Sequence, residues 1–280
     1  MERPTFWATS LRLREASRVE SSGVGEILSR FQIEAQDVEP LQVEPDGNSV
    51  WRLDVTGGPL VLRRYHSRAT RDDVLYEHAV LAHVAAAGWA VPAAVTAPLE
   101  IDGSLYCLTR FVPGDGTVDE TPEAQARRGR HLARLHLCLR DLDLPQRPGW
   151  RCRHQGITVW ESADWPTLVA ALRVEDPHLG EWAARAADAT TGELAEIDAQ
   201  ELPVLVIHGD FASWNVHYFA DESLAGVIDF GLTHVDSRPY ELSIARGDRA
   251  PRFVDAYRDE LTKLCWPLSD PEEDAIAPLL

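Results

Sequence analysis

Residues 204–231, VLVIHGDFASWNVHYFADESLAGVIDFG, constrain this chain more than any other stretch. Two short apolar runs, VLVI and LAGVI, each lead into a turn that carries polar groups. The first turn holds His208-Gly209-Asp210 and, five residues after Asp210, Asn215; the second holds Asp229 ahead of Phe230-Gly231. Short apolar runs bounded by turn residues read as strands. Polar side chains at strand ends stand on rigid supports while facing a cleft.

Two carboxylates and a carboxamide at this spacing suit phosphoryl transfer from a nucleotide. An acceptor hydroxyl needs a carboxylate to orient it and take its proton, which is the role for Asp210. A triphosphate needs magnesium, a hard cation that takes oxygen ligands, and Asn215 and Asp229 supply them. Asp and Asn acting as turn formers account for either motif alone; the two in this order and spacing favour the chemical reading.

HGDFASWN followed by VIDFG resembles the aminoglycoside phosphotransferase family, the small-molecule branch of the protein-kinase-like fold that also holds choline, homoserine and methylthioribose kinases. The resemblance implies an α+β, bilobal protein-kinase-like fold. Residues 1–112 form a small β-rich amino-terminal lobe with one main helix, and residues 113–280 a larger, mostly helical lobe. It further implies Asp210 as the catalytic base, Asn215 and Asp229 as Mg2+ ligands, and ATP as phosphate donor, with GTP as the other choice. The acceptor is a small-molecule hydroxyl, on an aminoglycoside or another amino or hydroxy compound.

In the amino-terminal half, 38–45, 49–55 and 59–65 read as three strands, with a turn over 45–49 and a hairpin at Gly57-Gly58. In the resembling family the first hairpin covers the nucleotide phosphates, which makes Asn48 and Ser49 candidate donors; a plain hairpin accounts for the same residues. The third strand carries the family's phosphate-steadying lysine. The sole lysine here is Lys263, so Arg63 takes that place, with Arg64 turned to the opposite face by strand alternation. Arg keeps the charge but presents a planar fork instead of a point ammonium. A helix over 68–88, with Val74, Leu75, His78, Leu81, Ala82 and Val84 as its apolar stripe and Gly88 past its end, carries Glu77. By resemblance Glu77 pairs with Arg63. Two strands around Asp102-Gly103 lead to Thr109, Arg110, Phe111 and Val112, which resemble the hinge whose backbone reads the adenine edge.

Thr121-Pro122 starts a helix that runs through Leu142, with Leu132, Leu135, His136 and Leu139 on one face. His131 and His136 read as core or supporting residues. Residues 145–166, rich in Pro, Gly, Arg and Trp, read as a long loop in the substrate region; Arg151, Arg153 and His154 make it locally basic, which suits either an anionic contact or, more simply, a solvated loop. Helices follow near 165–174 and 179–197. Asp236 and Glu241 either orient substrate or anchor a loop. Glu272, Glu273 and Asp274 read as dipole complements in a first helical turn.

The formal net charge of −18 argues against a nucleic-acid partner and is compatible with a cationic substrate. The four cysteines form no C-x-x-C pair, and no apolar run approaches a membrane span, so the expectation is a reduced, cytoplasmic protein with no membrane partner. The H-G-D motif and the missing A-P-E argue against a protein kinase. The alternative reading, a catalytically weak or inactive nucleotide-binding pseudokinase or regulatory module, draws on the missing lysine and the thin phosphate loop.

Overall fold

A computed structural model of the chain describes residues 23–42, 47–116, 121–150, 152, 165–198, 201–245 and 251–279. The polypeptide divides into two units, Met1–Pro113 with Gly226–Ile228, and Gly114–Ala225 with Asp229–Leu280.

The first unit is built on alternation. Helix α1 (23–30) precedes β1 (Ala35–Gln42), β2 (Ser49–Val55) and β3 (Leu60–Arg64), and helix α2 (Arg71–Ala86) precedes β4 (Leu99–Ile101) and β5 (Ser104–Arg110). The strands form one antiparallel sheet in the order β1-β2-β3-β5-β4. Two hairpin turns use residues at positive φ, Gly57 (102°) and Gly58 (114°) between β2 and β3, Asp102 (49°) and Gly103 (75°) between β4 and β5. Two consecutive positive φ values match the right-handed twist of the flanking strands. Because strand side chains alternate, the sheet offers two apolar faces. Trp51, Leu53, Leu62, Tyr106 and Leu108 pack with Val24, Leu28 and Phe31 of the α1 region. Tyr65, Leu105 and Cys107 pack with Val74 of α2.

Helix α2 starts in a capping box: the Thr70 hydroxyl accepts from Asp73 N at 3.1 Å, and the Asp73 carboxylate accepts from Thr70 N at 3.0 Å. It ends before Gly88, whose φ is 92°. Its buried face departs from the apolar stripe. Val74, Leu81 and Val84 are inside, but Leu75 is 44% exposed and Ala82 is exposed, while Tyr76, Glu77 and Val80 are buried. An apolar-periodicity reading overlooks a buried glutamate, and here Glu77 turns inward toward a cation.

The second unit is mostly helical. Helix α3 (Pro122–Leu139) is capped by the Thr121 hydroxyl, which accepts from Ala124 N at 3.3 Å; Leu132, Leu135, His136 and Leu139 are all fully buried. Helices α4 (Trp165–Glu175) and α5 (Pro177–Asp198) pack on each other. After them come α6 (Arg238–Ala245), α7 (Pro251–Lys263) and α8 (Asp270–Leu279). Short strands position the polar turns: β6 (Asp115–Gly116), β8 (Val216–Tyr218) and β9 (Leu224–Val227) form one sheet, and β7 (Val204–Ile207) pairs antiparallel with β10 (His234–Ser237). Among the described residues no helix is long and apolar enough to cross a membrane.

Glu272 is more than a dipole complement. It is fully buried and receives a bidentate pair from Arg238, at 2.7 and 2.6 Å, with the guanidinium 4.1 Å from the Trp266 ring. Glu273 pairs with Arg258 at 2.6 Å. The helix-dipole reading treats acids singly, whereas two arginines distant in sequence claim these.

Helix α3 meets α7 at Gly129, where an added Cβ would strike the Phe253 carbonyl oxygen. Gly129→Ala is expected to cost about 1–3 kcal/mol by overpacking. Gly25→Ala, in open space on α1, is expected to gain about 0.5 kcal/mol from helix propensity. Urea melts of the two variants check both signs.

Candidate functional site

Strand β7 delivers the His208-Gly209-Asp210 turn. Gly209 has φ 83° and lies under the Leu232 carbonyl, which a Cβ would strike, so the position demands glycine both for its backbone angle and for space. The His208 ring is buried against Phe230 at 4.4 Å and Phe211 at 5.7 Å, and its Nδ1 accepts from Asp210 N at 3.1 Å. From α6 the Glu241 carboxylate accepts from His208 N at 3.0 Å and from Gly209 N at 2.7 Å. His136 of α3 donates a third bond through Nε2 at 2.8 Å, and its Nδ1 lies 2.7 Å from the Tyr257 hydroxyl of α7. Burial pushes the Glu241 carboxyl up, but the His136 bond, the neighbouring imidazoles and the Gly209 N–H outweigh it and hold the group below its usual value. Glu241 therefore anchors the loop. Asp236 is also buried, accepting from Ser237 N at 2.7 Å and facing His234 Nε2 at 3.3 Å.

The anchored loop brings Asp210 and Asn215 together. Asn215, buried in a 3-10 turn over Ser213–Asn215, donates Nδ2 to the Asp210 carboxylate at 3.0 Å and to the Asp210 main-chain oxygen at 2.9 Å. Asp229 is exposed at the end of β9 in the left-handed region, φ 60° and ψ 62°. Burial raises the half-buried Asp210 carboxyl above its ordinary value; His208 and the Asn215 bond pull it back, and the Asp229 charge adds to the rise. The two acids thus share one field. With Nδ2 given to Asp210, the oxygen groups at the two turns are Asn215 Oδ1 and the Asp229 carboxylate. Among the described residues no group of three or more His, Cys, Asp or Glu side chains is placed to hold a metal. That all-oxygen, sparse donor set fits magnesium, which takes one or two protein ligands and completes its shell with phosphate oxygens and water.

In the first unit, Arg63 donates Nη1 to Glu77 Oε1 at 2.8 Å, with the Glu77 side chain 2% exposed. The Arg63 guanidinium lies 4.6 Å from the Tyr65 ring. Arg64, on the opposite face, donates to the Ser49 hydroxyl at 2.8 Å. Ser49 is buried as the first residue of β2, and Asn48 Oδ1 accepts from His66 N at 3.0 Å, so both side chains are engaged locally. Thr109 is buried in β5, and Arg110 N donates to Ala93 O at 2.9 Å; Phe111, with Arg52 over its ring at 4.9 Å, and the buried Val112 follow the strand end. Pro45, Asp46, Arg151, Arg153 and His154 lie outside the described residues. Two residues that sequence reasoning passed over, Gln146 and Arg147, hold the segment after Asp229 through main-chain contacts; loop residues bonded to backbone leave no motif.

A profile described as the phosphotransferase enzyme family (APH) matches residues 43–272. The chain is 33% identical over 205 residues to a homoserine kinase of Xanthobacter autotrophicus, covering 70% of this chain and 60% of that protein. It is 31% identical over 241 residues to a homoserine kinase of Allorhizobium ampelinum, covering 79% and 64%. The chain thus spans about three fifths of the length of the curated relatives it matches. Among solved structures, the GDP complex of aminoglycoside 2′-phosphotransferase-IIIa aligns with a TM-score of 0.60 at 17% identity, over 92% of this chain and 86% of that chain. A microcompartment-associated aminopropanol kinase aligns with a TM-score of 0.62 at 16% identity, over 87% and 80%. These likenesses identify the fold as α+β and protein-kinase-like.

A carboxyl whose pKa is raised by folding weakens the native state once it ionises, because the folded form binds its proton more tightly than the unfolded one. Asp210→Asn is therefore expected to melt higher than the wild type at pH 7 without ligand, the gap closing as pH falls below the carboxylate range. Melts at pH 7 and pH 4 check this, and a gap independent of pH contradicts it. Glu241→Gln leaves one buried backbone N–H facing an amide donor and is expected to cost about 1–3 kcal/mol in a urea melt.

Proposed function

The chain belongs to the phosphotransferase enzyme family, and from that premise we propose that it moves the γ-phosphate of ATP, with magnesium, to a hydroxyl of a small molecule. The observation that carries the reading is the union of Asp210 and Asn215 at 3.0 Å in one anchored loop, with the Asp229 charge close enough to raise the Asp210 carboxyl.

In this reading Asp210 accepts a hydrogen bond from the acceptor hydroxyl and takes its proton as the new P–O bond forms. Its raised pKa makes it a stronger base than an exposed aspartate. The Asn215 bond fixes which carboxylate oxygen is spent on the loop and which faces the acceptor. Asn215 Oδ1 and the Asp229 carboxylate would hold magnesium, which supplies charge neutralisation on the phosphates when bound. Arg63 is the phosphate contact of the first unit. Glu77 takes one edge of its fork and leaves the guanidinium fixed in direction. Most of the rate enhancement then comes from positioning and charge stabilisation. The GDP complex among the structural neighbours supports nucleotide use and keeps GTP beside ATP as a donor to test.

A small amino alcohol of the homoserine kind is the favoured acceptor. The matched relatives are homoserine kinases, and one structural neighbour is an aminopropanol kinase. A polyamine acceptor is less well served: Glu272 and Glu273, which it would need as counter-charges on the last helix, are held by Arg238 and Arg258. The regulatory-module reading draws on the missing lysine and the thin phosphate loop; the Arg63–Glu77 pair, which keeps a cation in the expected place, supports the kinase reading.

Nucleotide turnover with ATP or GTP, with and without magnesium, over a panel of homoserine, other amino alcohols and aminoglycosides tests the proposal. Magnesium-dependent turnover that rises with one acceptor is expected. Asp210→Ala is expected to lose roughly 10²–10⁴-fold in turnover while its melt still shifts with nucleotide. Near-normal turnover in that variant would sink the assignment.

A further inference from the structure

We propose that Gln146 and Arg147 form a strap that fixes the backbone after Asp229 and so sets how tightly the site takes its metal. The inference rests on the reading of Asp229 as a magnesium ligand.

Asp229 is a non-glycine residue in the left-handed region. That conformation is unfavourable for a residue that carries a Cβ and persists where the surroundings over-determine it. From one side the restraints are local. Thr233 N donates to Phe230 O at 3.0 Å, the Thr233 hydroxyl donates to Ile207 O at 2.6 Å, and β10 pairs with β7 from His234 onward. From the other side comes the loop after α3. Arg147 Nη1 donates to Gly231 O at 2.7 Å and to Thr233 O at 3.1 Å. Gln146 pairs with both main-chain groups of Val235: Nε2 donates to Val235 O at 2.8 Å, and Oε1 accepts from Val235 N at 3.0 Å. That is the pattern a neighbouring strand would supply, delivered by one side chain.

The strap is itself stiff. Gln146 Oε1 also accepts from Arg147 N at 2.9 Å, and Trp150 N donates to Arg147 O at 2.9 Å. The Arg147 guanidinium lies 4.8 Å from the Trp150 ring, which in turn sits 4.9 Å from the His234 ring. Arg147 is only 6% exposed although it sits on a loop. A guanidinium taken out of water and turned onto main-chain oxygens is costly unless those bonds are well made. Their consequence is specific: the carbonyls two and four residues after Asp229 face the strap, which pins the backbone that carries Asp229 in its left-handed conformation. Gln146 and Arg147 are positioning residues, acting on the metal site through the backbone.

Arg147→Ala, Arg147→Lys and Gln146→Ala in the full chain test this with two readouts. The first needs no activity: amide hydrogen exchange in the ligand-free protein. Arg147→Ala is expected to speed exchange at 230–235 at least tenfold while β2, β3 and β5 keep wild-type rates. The second is the magnesium concentration for half-maximal turnover, expected to rise at least fivefold in Arg147→Ala with the acceptor KM within twofold. Arg147→Lys is expected to fall between, since a single nitrogen makes both contacts and an ammonium can reach them. Gln146→Ala is expected to shift both readouts in the same direction by less. Unchanged exchange at 230–235, a uniform rise across the chain, or faster local exchange with an unchanged magnesium requirement each overturn the strap. A wild-type protein whose turnover ignores magnesium overturns the metal reading of Asp229 and the inference with it, a result distinct from any of these.

Discussion

The fully buried carboxylate of Glu241 is the constraint on which the site depends. A charge removed from water is stable only if donors replace its hydration. Three do so here, the amides of His208 and Gly209 and the Nε2 of His136. Those bonds join the end of β7 to α3 and α6, and Tyr257 extends the chain of contacts to α7. The turn that carries Asp210 is thus held mainly by its backbone, and the Asp210 carboxylate adds a contact within the loop through its bond from Asn215.

Electrostatic tension above this anchor is the functional counterpart. Asp210 is raised by burial and by the charge of Asp229. Two carboxylates in one field are a cost to the protein, which His208 and the Asn215 bond offset only in part. The Arg63–Glu77 pair follows the opposite rule. Both groups are largely buried, and their mutual bond together with the Tyr65 ring compensates the guanidinium for its lost water.

Much of this was legible in the chain itself. The strands at 49–55 and 60–64, the cap at Thr121 and the positive-φ turns at Gly57-Gly58 and Asp102-Gly103 follow from alternation and turn chemistry, which act over a few residues. Asp210 and Asn215 were legible because one short loop contains both. Two readings differ from the structure. Leu75 falls in the apolar stripe yet is 44% exposed, while Glu77 of the same helix is buried on Arg63. Glu272 fits a dipole complement by position, yet Arg238 holds it. In both helices an arginine on another element claims a buried glutamate, and apolar periodicity carries no record of it.

The sequence by itself determined the local elements, the two motifs with their donor types, and the presence of arginine where a lysine was expected. Only the tertiary structure decided which charges meet. His136 finds Glu241 across 105 residues of sequence, and Gln146 finds Val235 across 89. Propensity, capping and turn geometry are short-range and are written in adjacent residues. The pairing of buried charges is settled by which helices and strands the fold packs side by side, and a buried charge must accept the partners that packing brings.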